Sequence, residues 1–105
     1  MKHKRIANTL YFYFDGDLDN LTLSNLKQTC IDLIDQDPPS IVKMDFEKIS
    51  FIDSTGIGFV LARYKQLARY NARLILCNLS PANKTLFHMS GIFQIIEYER
   101  NEVKI

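Results

Sequence analysis

The sequence carries almost no net charge, and this excludes several kinds of partner. Thirteen lysines and arginines are set against twelve acids, which gives a formal net charge of +1. Attraction of nucleic acid or anionic lipid requires a clear excess of one sign, and no long run of one sign occurs here. We therefore expect neither nucleic acid nor a membrane surface among the partners of this chain.

Long apolar runs are also missing. No stretch approaches the roughly 20 apolar residues that a membrane-spanning helix needs. The basic N-terminus MKHKRIANTL leads into the alternating run LYFYFDGD, without the small-residue cleavage site of a signal peptide. The sequence therefore favours a cytoplasmic protein.

Cysteine and histidine are scarce, with two of each. Cys30 and Cys77 lie inside apolar patterns, where a free cysteine usually behaves as a small buried hydrophobe. His3 and His88 have no neighbours at the spacing of metal ligands. We expect no disulfide, no metal site and no cofactor, and the two thiols suit a reducing cytosol.

The sequence does contain hydrophobic periodicity that switches between the strand period and the helix period. Strands are predicted over residues 4–6, 10–14, 41–46, 74–77 and 94–98. Helices are predicted over residues 21–35 and 54–70, and a third begins at Ser80-Pro81 and is capped by Gly91. The second strand is expected to stop at the turn signal Asp15-Gly16, and the tail to Ile105 is expected to fray or form a short helix.

The second predicted helix has an apolar stripe and an opposite face that we expect to be solvated. The stripe consists of Ile57, Val60, Leu61, Tyr64, Leu67 and Ala68. The solvated face consists of Gly58, Ala62, Lys65 and Arg69. Phe59 is expected to be half-buried packing.

The order of these elements predicts an α/β fold. At 105 residues the chain is one domain, residues 1–105. Strands separated by helices of this length form right-handed parallel crossovers, whereas the first two strands form a hairpin. We expect a mixed, mostly parallel sheet of about five strands with an antiparallel edge, backed by three to four helices. Binding sites in such folds gather beyond the carboxyl ends of the strands, and residues 53–55 lie near such an end.

The stretch FIDSTGIG, residues 51–58, holds the candidate site, and three interpretations of it compete. The simplest is helix capping, because Asp and Ser are among the best N-cap residues and an Ala replacement there costs about 1 kcal/mol. Capping alone does not require Gly56 and Gly58, each of which weakens a helix by roughly 0.5–1 kcal/mol relative to Ala. Two glycines leave the helix start bare, which favours a contact surface.

A catalytic serine is the second interpretation, and the pattern disfavours it. A nucleophile elbow reads G-x-S-x-G, whereas Ile52 occupies the place of the first glycine and Thr55-Gly56 follows Ser54. A triad also needs a histidine beside the serine, and only His3 and His88 exist. We expect no enzymatic activity.

A hydroxyl that another protein phosphorylates is the third interpretation. The start of a helix attracts anions by about 0.3–1 kcal/mol, and a phosphate carries a charge of about −1.5 to −2. The fold should therefore tolerate the modification. If a partner covers the same patch, the unpaired dianion is desolvated at a cost of several kcal/mol. A phosphate would then end binding without unfolding the protein.

Four segments make the sequence resemble the anti-sigma factor antagonists of the STAS family. They are GDLD (16–19), FIDSTGIG (51–58), ARYK (62–65) and SPANKTLFHMSGIF (80–93). The resemblance spans residues 6 to 98, and the last segment points to the sporulation branch. It implies a sheet backed by helices, in agreement with the fold predicted above.

The resemblance also implies partners and site residues. Such antagonists bind an anti-sigma factor that is also a serine kinase, which sets a sigma factor free. The kinase uses ATP to phosphorylate the antagonist on the hydroxyl that matches Ser54, and a serine phosphatase removes the phosphate. The implied partner-binding residues are Asp19, Asp53, Thr55, Gly56, Ile57, Gly58 and Arg63.

Two points stay open within this resemblance. Asp19 is equally well explained as a helix cap. Thr55 stands where a second serine is common, so the choice of Ser54 over Thr55 rests on the match.

We expect the protein to be a monomer. The alternative functions are a scaffold subunit of a stress-signalling assembly or, less favoured, a serine hydrolase.

Overall fold

The structure is a computed structural model that describes residues 1–99. Its strands are β1 (Lys2–Ile6), β2 (Thr9–Leu18), β3 (Ile41–Ile52), β4 (Arg73–Cys77) and β5 (Glu97–Glu99). Its helices are α1 (Asn20–Gln36), α2 (Ser54–Ala68) and α3 (Pro81–Met89), with a 3-10 turn at Ile92–Gln94. Within residues 1–99, no helix combines the length and the apolar character that crossing a membrane requires.

The strands form one sheet in the order β1-β2-β3-β4-β5. The pair β1–β2 is antiparallel, and every other pair is parallel. The predicted mixed, five-stranded sheet with an antiparallel edge is therefore confirmed. Each crossover moves one strand further in the same direction, so right-handed connections place all three helices on one face.

Alternation along the strands builds the core beneath those helices. Phe12 and Phe14 on β2 and Met44 and Phe46 on β3 are buried, whereas the residues between them are only half-buried. The rings of Phe14 and Phe46 stack with centroids 5.5 Å apart, and the Phe59 ring of α2 meets Phe14 edge-on at 6.0 Å. These aromatic contacts fix α2 to the middle of the sheet.

Both central strands are longer than the sequence predicted. The expected stop at Asp15-Gly16 is wrong, because β2 continues to Leu18 through two register shifts against β3. Gly16 has a φ of +79°, a conformation that glycine adopts freely and that suits an irregularity inside a strand. β3 likewise runs on from the predicted end at Phe46 to Ile52. The extra residues carry both strands to the edge where α1 and α2 begin.

The helix predictions are mostly confirmed. Ser80 is the N-cap of α3, and its hydroxyl accepts a hydrogen bond from the N–H of Asn83 at 3.2 Å. Gly91 follows that helix in the left-handed conformation. The predicted start of the last strand at residue 94 is wrong, because Gln94 belongs to the 3-10 turn and β5 begins at Glu97. The expectation for the tail after residue 99 lies outside the described residues.

The buried face of α2 is wider than the predicted stripe. Ala68 is exposed, whereas Phe59, Arg63 and Gln66 are buried. The reason is that α2 packs against two neighbours, the sheet and α1, so its buried arc includes residues outside a single stripe. The side-chain amide of Gln66 anchors this second contact by donating to the carbonyl of Ile31 on α1 at 3.0 Å.

Candidate functional site

The parallel register of β2 and β3 sets two helix starts side by side. Leu18 pairs with Ile52 at the ends of the two strands. An aspartate follows each of them, and each aspartate is an N-cap. Asp19 and Asp53 are thereby brought to the same edge of the sheet; the sequence predicted a strand end only near residues 53–55.

Both carboxylates are committed to capping. Oδ1 of Asp19 accepts a hydrogen bond from the N–H of Thr22 at 2.9 Å, and this bond holds the pKa of Asp19 below its ordinary value. Oδ1 of Asp53 accepts from the N–H of Thr55 at 2.9 Å and from that of Gly56 at 3.1 Å. Capping is therefore a real role of each acid, whatever else each one contacts.

The two hydroxyls that follow Asp53 are exposed but differently placed. Ser54 and Thr55 are the first two residues of α2, and both are open to solvent. Thr55 lies on the wall of a groove between α1 and α2, whereas Ser54 is not among the residues that line it. Ser54 is therefore exposed outside that groove.

The Asp53 cap changes what a phosphate on Ser54 would meet. The N–H groups of Thr55 and Gly56, which would otherwise attract an anion at a helix start, already donate to the Asp53 carboxylate. A phosphate finds those donors occupied and a negative charge beside it. The stabilisation expected from the helix start is therefore largely offset.

The two glycines of this segment differ in kind. Gly56 is buried, and a Cβ built on it would lie 2.7 Å from Cγ2 of Ile52 and 3.2 Å from the carbonyl oxygen of Leu18. The expectation of a bare helix start is wrong for Gly56, because α2 uses it to approach the ends of β2 and β3. Gly58 is exposed with open space around it, so the expectation is confirmed there.

The groove between α1 and α2 has a volume of about 390 Å³. Its lining residues are Asn20, Leu23, Ser24, Lys27, Thr55, Gly58, Phe59, Ala62 and Arg63. Leu23 and Phe59 form apolar walls, and Lys27 is exposed. The groove starts beside the hydroxyl pair and continues along the helices.

Arg63 is a buried cation in this groove, with only 6% of its surface exposed. Its guanidinium lies over the Phe59 ring at 5.3 Å, and burial lowers its pKa. Nε and Nη1 have no hydrogen-bond partner among residues 1–99. Although predicted as a partner contact, Arg63 lies inside the groove and not on the outer face that carries Ser54.

Two exposed apolar residues flank the site, and sequence reasoning did not single them out. Leu21 in the first turn of α1 is 73% exposed, and Phe51 near the end of β3 is 53% exposed. Phe51 alternates with the buried Ile52, so a correct strand end would have shown that it faces outward. Lys27 was also missed, because nothing in its spacing connects it with α2.

The remaining candidate groups are inert or scattered. Across residues 1–99, no three histidine, cysteine or acidic side chains cluster closely enough to hold a metal ion. Burial raises the pKa of both thiols, Cys30 and Cys77, to about 12, which keeps them protonated near neutral pH. Among the residues considered from the sequence, the hydroxyl pair and its surroundings remain the candidate site.

Comparison with protein families gives a match over the whole chain, residues 1–105, to the STAS domain. The anti-sigma F factor antagonist of Paenibacillus polymyxa is 28% identical over 103 residues, covering 98% of this chain and 86% of the relative. That of Lysinibacillus sphaericus is 32% identical over 77 residues, covering 73% and 66%. The anti-sigma-B factor antagonist of Listeria monocytogenes is 25% identical over 99 residues, covering 94% and 86%.

Solved structures give the same result. The anti-sigma factor antagonist SpoIIAA in its unphosphorylated form is 26% identical, with a TM-score of 0.74 over 98% of this chain and 88% of that one. Its Bacillus counterpart in the phosphorylated form is also 26% identical, with a TM-score of 0.78 over 96% and 90%. A STAS domain protein from Planctomyces limnophilus, 16% identical with a TM-score of 0.85 over 96% and 89%, shows the fold alone.

Proposed function

Because the chain belongs to the STAS domain family, we propose that it is an anti-sigma factor antagonist switched by phosphorylation of Ser54. Unmodified, it binds an anti-sigma factor that is also a serine kinase, and a sporulation sigma factor is set free. That kinase uses ATP to phosphorylate Ser54, and a serine phosphatase restores the hydroxyl. The chain is a cytoplasmic monomer that performs no catalysis and holds no cofactor.

The observation that carries the proposal is the exposed Ser54 at the first position of α2. Phosphorylation adds about −1.5 to −2 charges at this point. The N–H groups of Thr55 and Gly56 already donate to the carboxylate of Asp53, so the phosphate does not replace these hydrogen bonds and the helix start keeps its cap. The modification changes the surface and leaves the backbone in place.

The effect on binding is much larger than the effect on folding. Under a partner, an unpaired dianion loses its water at a cost of several kcal/mol. Each loss of about 1.4 kcal/mol weakens binding tenfold. A phosphate on Ser54 therefore abolishes the complex while the isolated chain remains folded.

The partner contacts the surface around Ser54. We assign to that surface the rim of the two helix starts and the exposed side of α2, namely Asp19, Asp53, Thr55, Ile57 and Gly58. Leu21 and Phe51 add apolar area beside it. Gly56 is buried and does not belong to this surface; because it has no side chain, it lets α2 approach the sheet.

A hydrolase mechanism lacks the base that Ser54 would need. His3 on the edge strand β1 lies opposite Phe12 of β2. Phe12 is six residues before Leu18, the end of β2 beside the start of α2, which is about 20 Å along the strand at 3.3 Å per residue. His88 lies in the last turn of α3. Neither side chain belongs to the edge of the sheet that carries Ser54.

The experiment that tests the proposal is mass spectrometry after incubation with the anti-sigma factor kinase and ATP. We expect one phosphate on the peptide that contains Ser54, and none on the Ser54→Ala variant. Thr55→Val is the matched control and should be modified like the natural chain. Phosphate found only on Thr55 or Ser80 would contradict the proposal.

A further inference from the structure

Arg63 is a buried cation without a counter-ion. It is 6% exposed, its Nε and Nη1 are unpaired within the described part of the chain, and the ion pairs found in residues 1–99 do not include it. Asp35 attracts it, but Oδ1 of Asp35 already accepts hydrogen bonds from Gln66 and Tyr70. Burying an unpaired charge is unfavourable, so Arg63 is a residue that an external anion would complete.

The charged side chains that line the groove around Arg63 are all positive. Among residues 1–99, its charged lining residues are Lys27 and Arg63, and no aspartate or glutamate lines it. Asn20, Ser24 and Thr55 add neutral polar groups, and Leu23 and Phe59 add apolar walls. This combination suits a ligand that carries one negative group on an apolar stem.

We propose that this groove receives an acidic side chain of the partner protein, with its carboxylate on Arg63 and Lys27 beside it. This inference rests on the proposed function, because it names what the anti-sigma factor inserts next to Ser54. Thr55 belongs both to the groove and to the helix start, so the groove is continuous with the proposed interface.

Charge and shape favour a carboxylate over a nucleotide. A nucleoside triphosphate brings more negative charges than the two cations of the groove neutralise. Its sugar would also lie against the apolar walls of Leu23 and Phe59 with few hydrogen-bond partners. A glutamate or aspartate places its stem on those walls and one charge on Arg63, and guanidinium–carboxylate pairs are strong hydrogen bonds.

The first test replaces the buried cation with an apolar side chain of similar length. Arg63→Met should weaken binding of the anti-sigma factor by about tenfold or more, measured by calorimetry. Its melting temperature should stay equal or rise, because an unpaired buried charge is removed. Arg69→Met, the same change at the exposed C-cap residue of α2, is the matched control and should leave binding unchanged.

A second variant keeps the inference testable if the first one folds poorly. Lys27 is exposed, so Lys27→Glu should leave folding intact while it slows association and reduces the loss of affinity with added salt. Unchanged binding by Lys27→Glu would overturn the inference. A large drop in melting temperature of Arg63→Met with unchanged binding would overturn it as well, because Arg63 would then be structural.

A double-mutant cycle identifies the acid. Each acidic residue on the surface of the anti-sigma factor is changed to its amide, and one of these changes should add little to the loss caused by Arg63→Met. Additive losses at every position would overturn the inference. Saturable micromolar binding of ATP or inorganic phosphate to the free chain, with shifts at Arg63, would also overturn it.

These outcomes distinguish a failure of the groove assignment from a failure of the proposed function. If the natural chain binds the anti-sigma factor and both variants bind it equally well, only the groove assignment fails. If the natural chain does not bind the anti-sigma factor at all, the proposed function fails first, and the groove assignment fails with it.

Discussion

At the start of α2, the carboxylate of Asp53 accepts hydrogen bonds from the N–H groups of two following residues, Thr55 and Gly56. This arrangement satisfies donors that a helix start otherwise leaves unpaired. It also keeps them away from any anion on Ser54. We therefore expect a phosphate there to stay in water and the helix start to keep its geometry, as the proposed switch requires.

The two glycines of this segment give a test at the residue scale. Gly56→Ala forces a methyl group to 2.7 Å from Ile52, and such overpacking typically costs about 1–3 kcal/mol. Gly58→Ala places its methyl group in open space and should stabilise the helix by about 0.5–1 kcal/mol. Thermal unfolding of both variants should move the melting temperature in opposite directions.

The outcome for this glycine pair separates packing from recognition. If Gly56→Ala left the melting temperature unchanged, the close approach of α2 to the strand ends would be wrong. Gly58→Ala is its matched partner, and any loss of partner binding by that variant would come from the surface, since its fold is not strained.

At the scale of elements, α1 and α2 are joined by a small polar network. Oδ1 of Asp35 accepts from Nε2 of Gln66 at 2.9 Å and from the hydroxyl of Tyr70 at 2.6 Å. These bonds hold the pKa of Asp35 below its ordinary value of 3.8, with the Tyr70 bond the larger cause. The network lies at the other end of the helix pair from Ser54.

This network predicts an acid dependence of stability. Because the folded-state pKa of Asp35 is lowered, its contribution is present above pH 3.8 and is lost as the pH falls through the folded pKa. Asp35→Asn should therefore lose less stability than the natural chain between pH 7 and pH 3, measured by urea unfolding. Asp17→Asn makes the same change at another exposed acid and is the matched control. Equal acid sensitivity of Asp35→Asn and the natural chain would contradict the prediction.

The elements also show which part of the fold the sequence predicts. Helices with regular periodicity and clear caps, such as α1 and α3, begin within a residue or so of their predicted starts. Asp15-Gly16 was misjudged, because the dipeptide suits a turn and a bulged strand equally, and only pairing with β3 decides between them. Local sequence does not contain that pairing.

At the scale of the whole molecule, the sequence predicts the part of the site that lies in one contiguous segment, but not the groove that two helices form together. Ser54, Asp53 and Gly58 belong to one contiguous motif, so the sequence alone located the helix start. The groove joins Lys27 of α1 with Arg63 of α2, residues that are 36 positions apart. Their meeting depends on the packing of two helices, which no short motif encodes.

The oligomeric state tests the proposal against its main alternative. As an isolated antagonist, the chain should elute in gel filtration as a monomer near its mass of 12.2 kDa. Its charged pairs on the sheet, such as Arg73 with Glu97, are satisfied within the protomer. Elution as a large particle would contradict this prediction and would favour a scaffold subunit of a signalling assembly.

The most direct test of the central claim compares the phosphorylated and unmodified chains against one anti-sigma factor by titration calorimetry, with the melting temperature of each form. We predict that the phosphate on Ser54 weakens binding by about a hundredfold or more. The melting temperature should shift by only about 2–4 °C, as expected for a surface change of about 0.5 kcal/mol. Equal affinity of the two forms, or a phosphorylated chain that unfolds far earlier, would contradict the account.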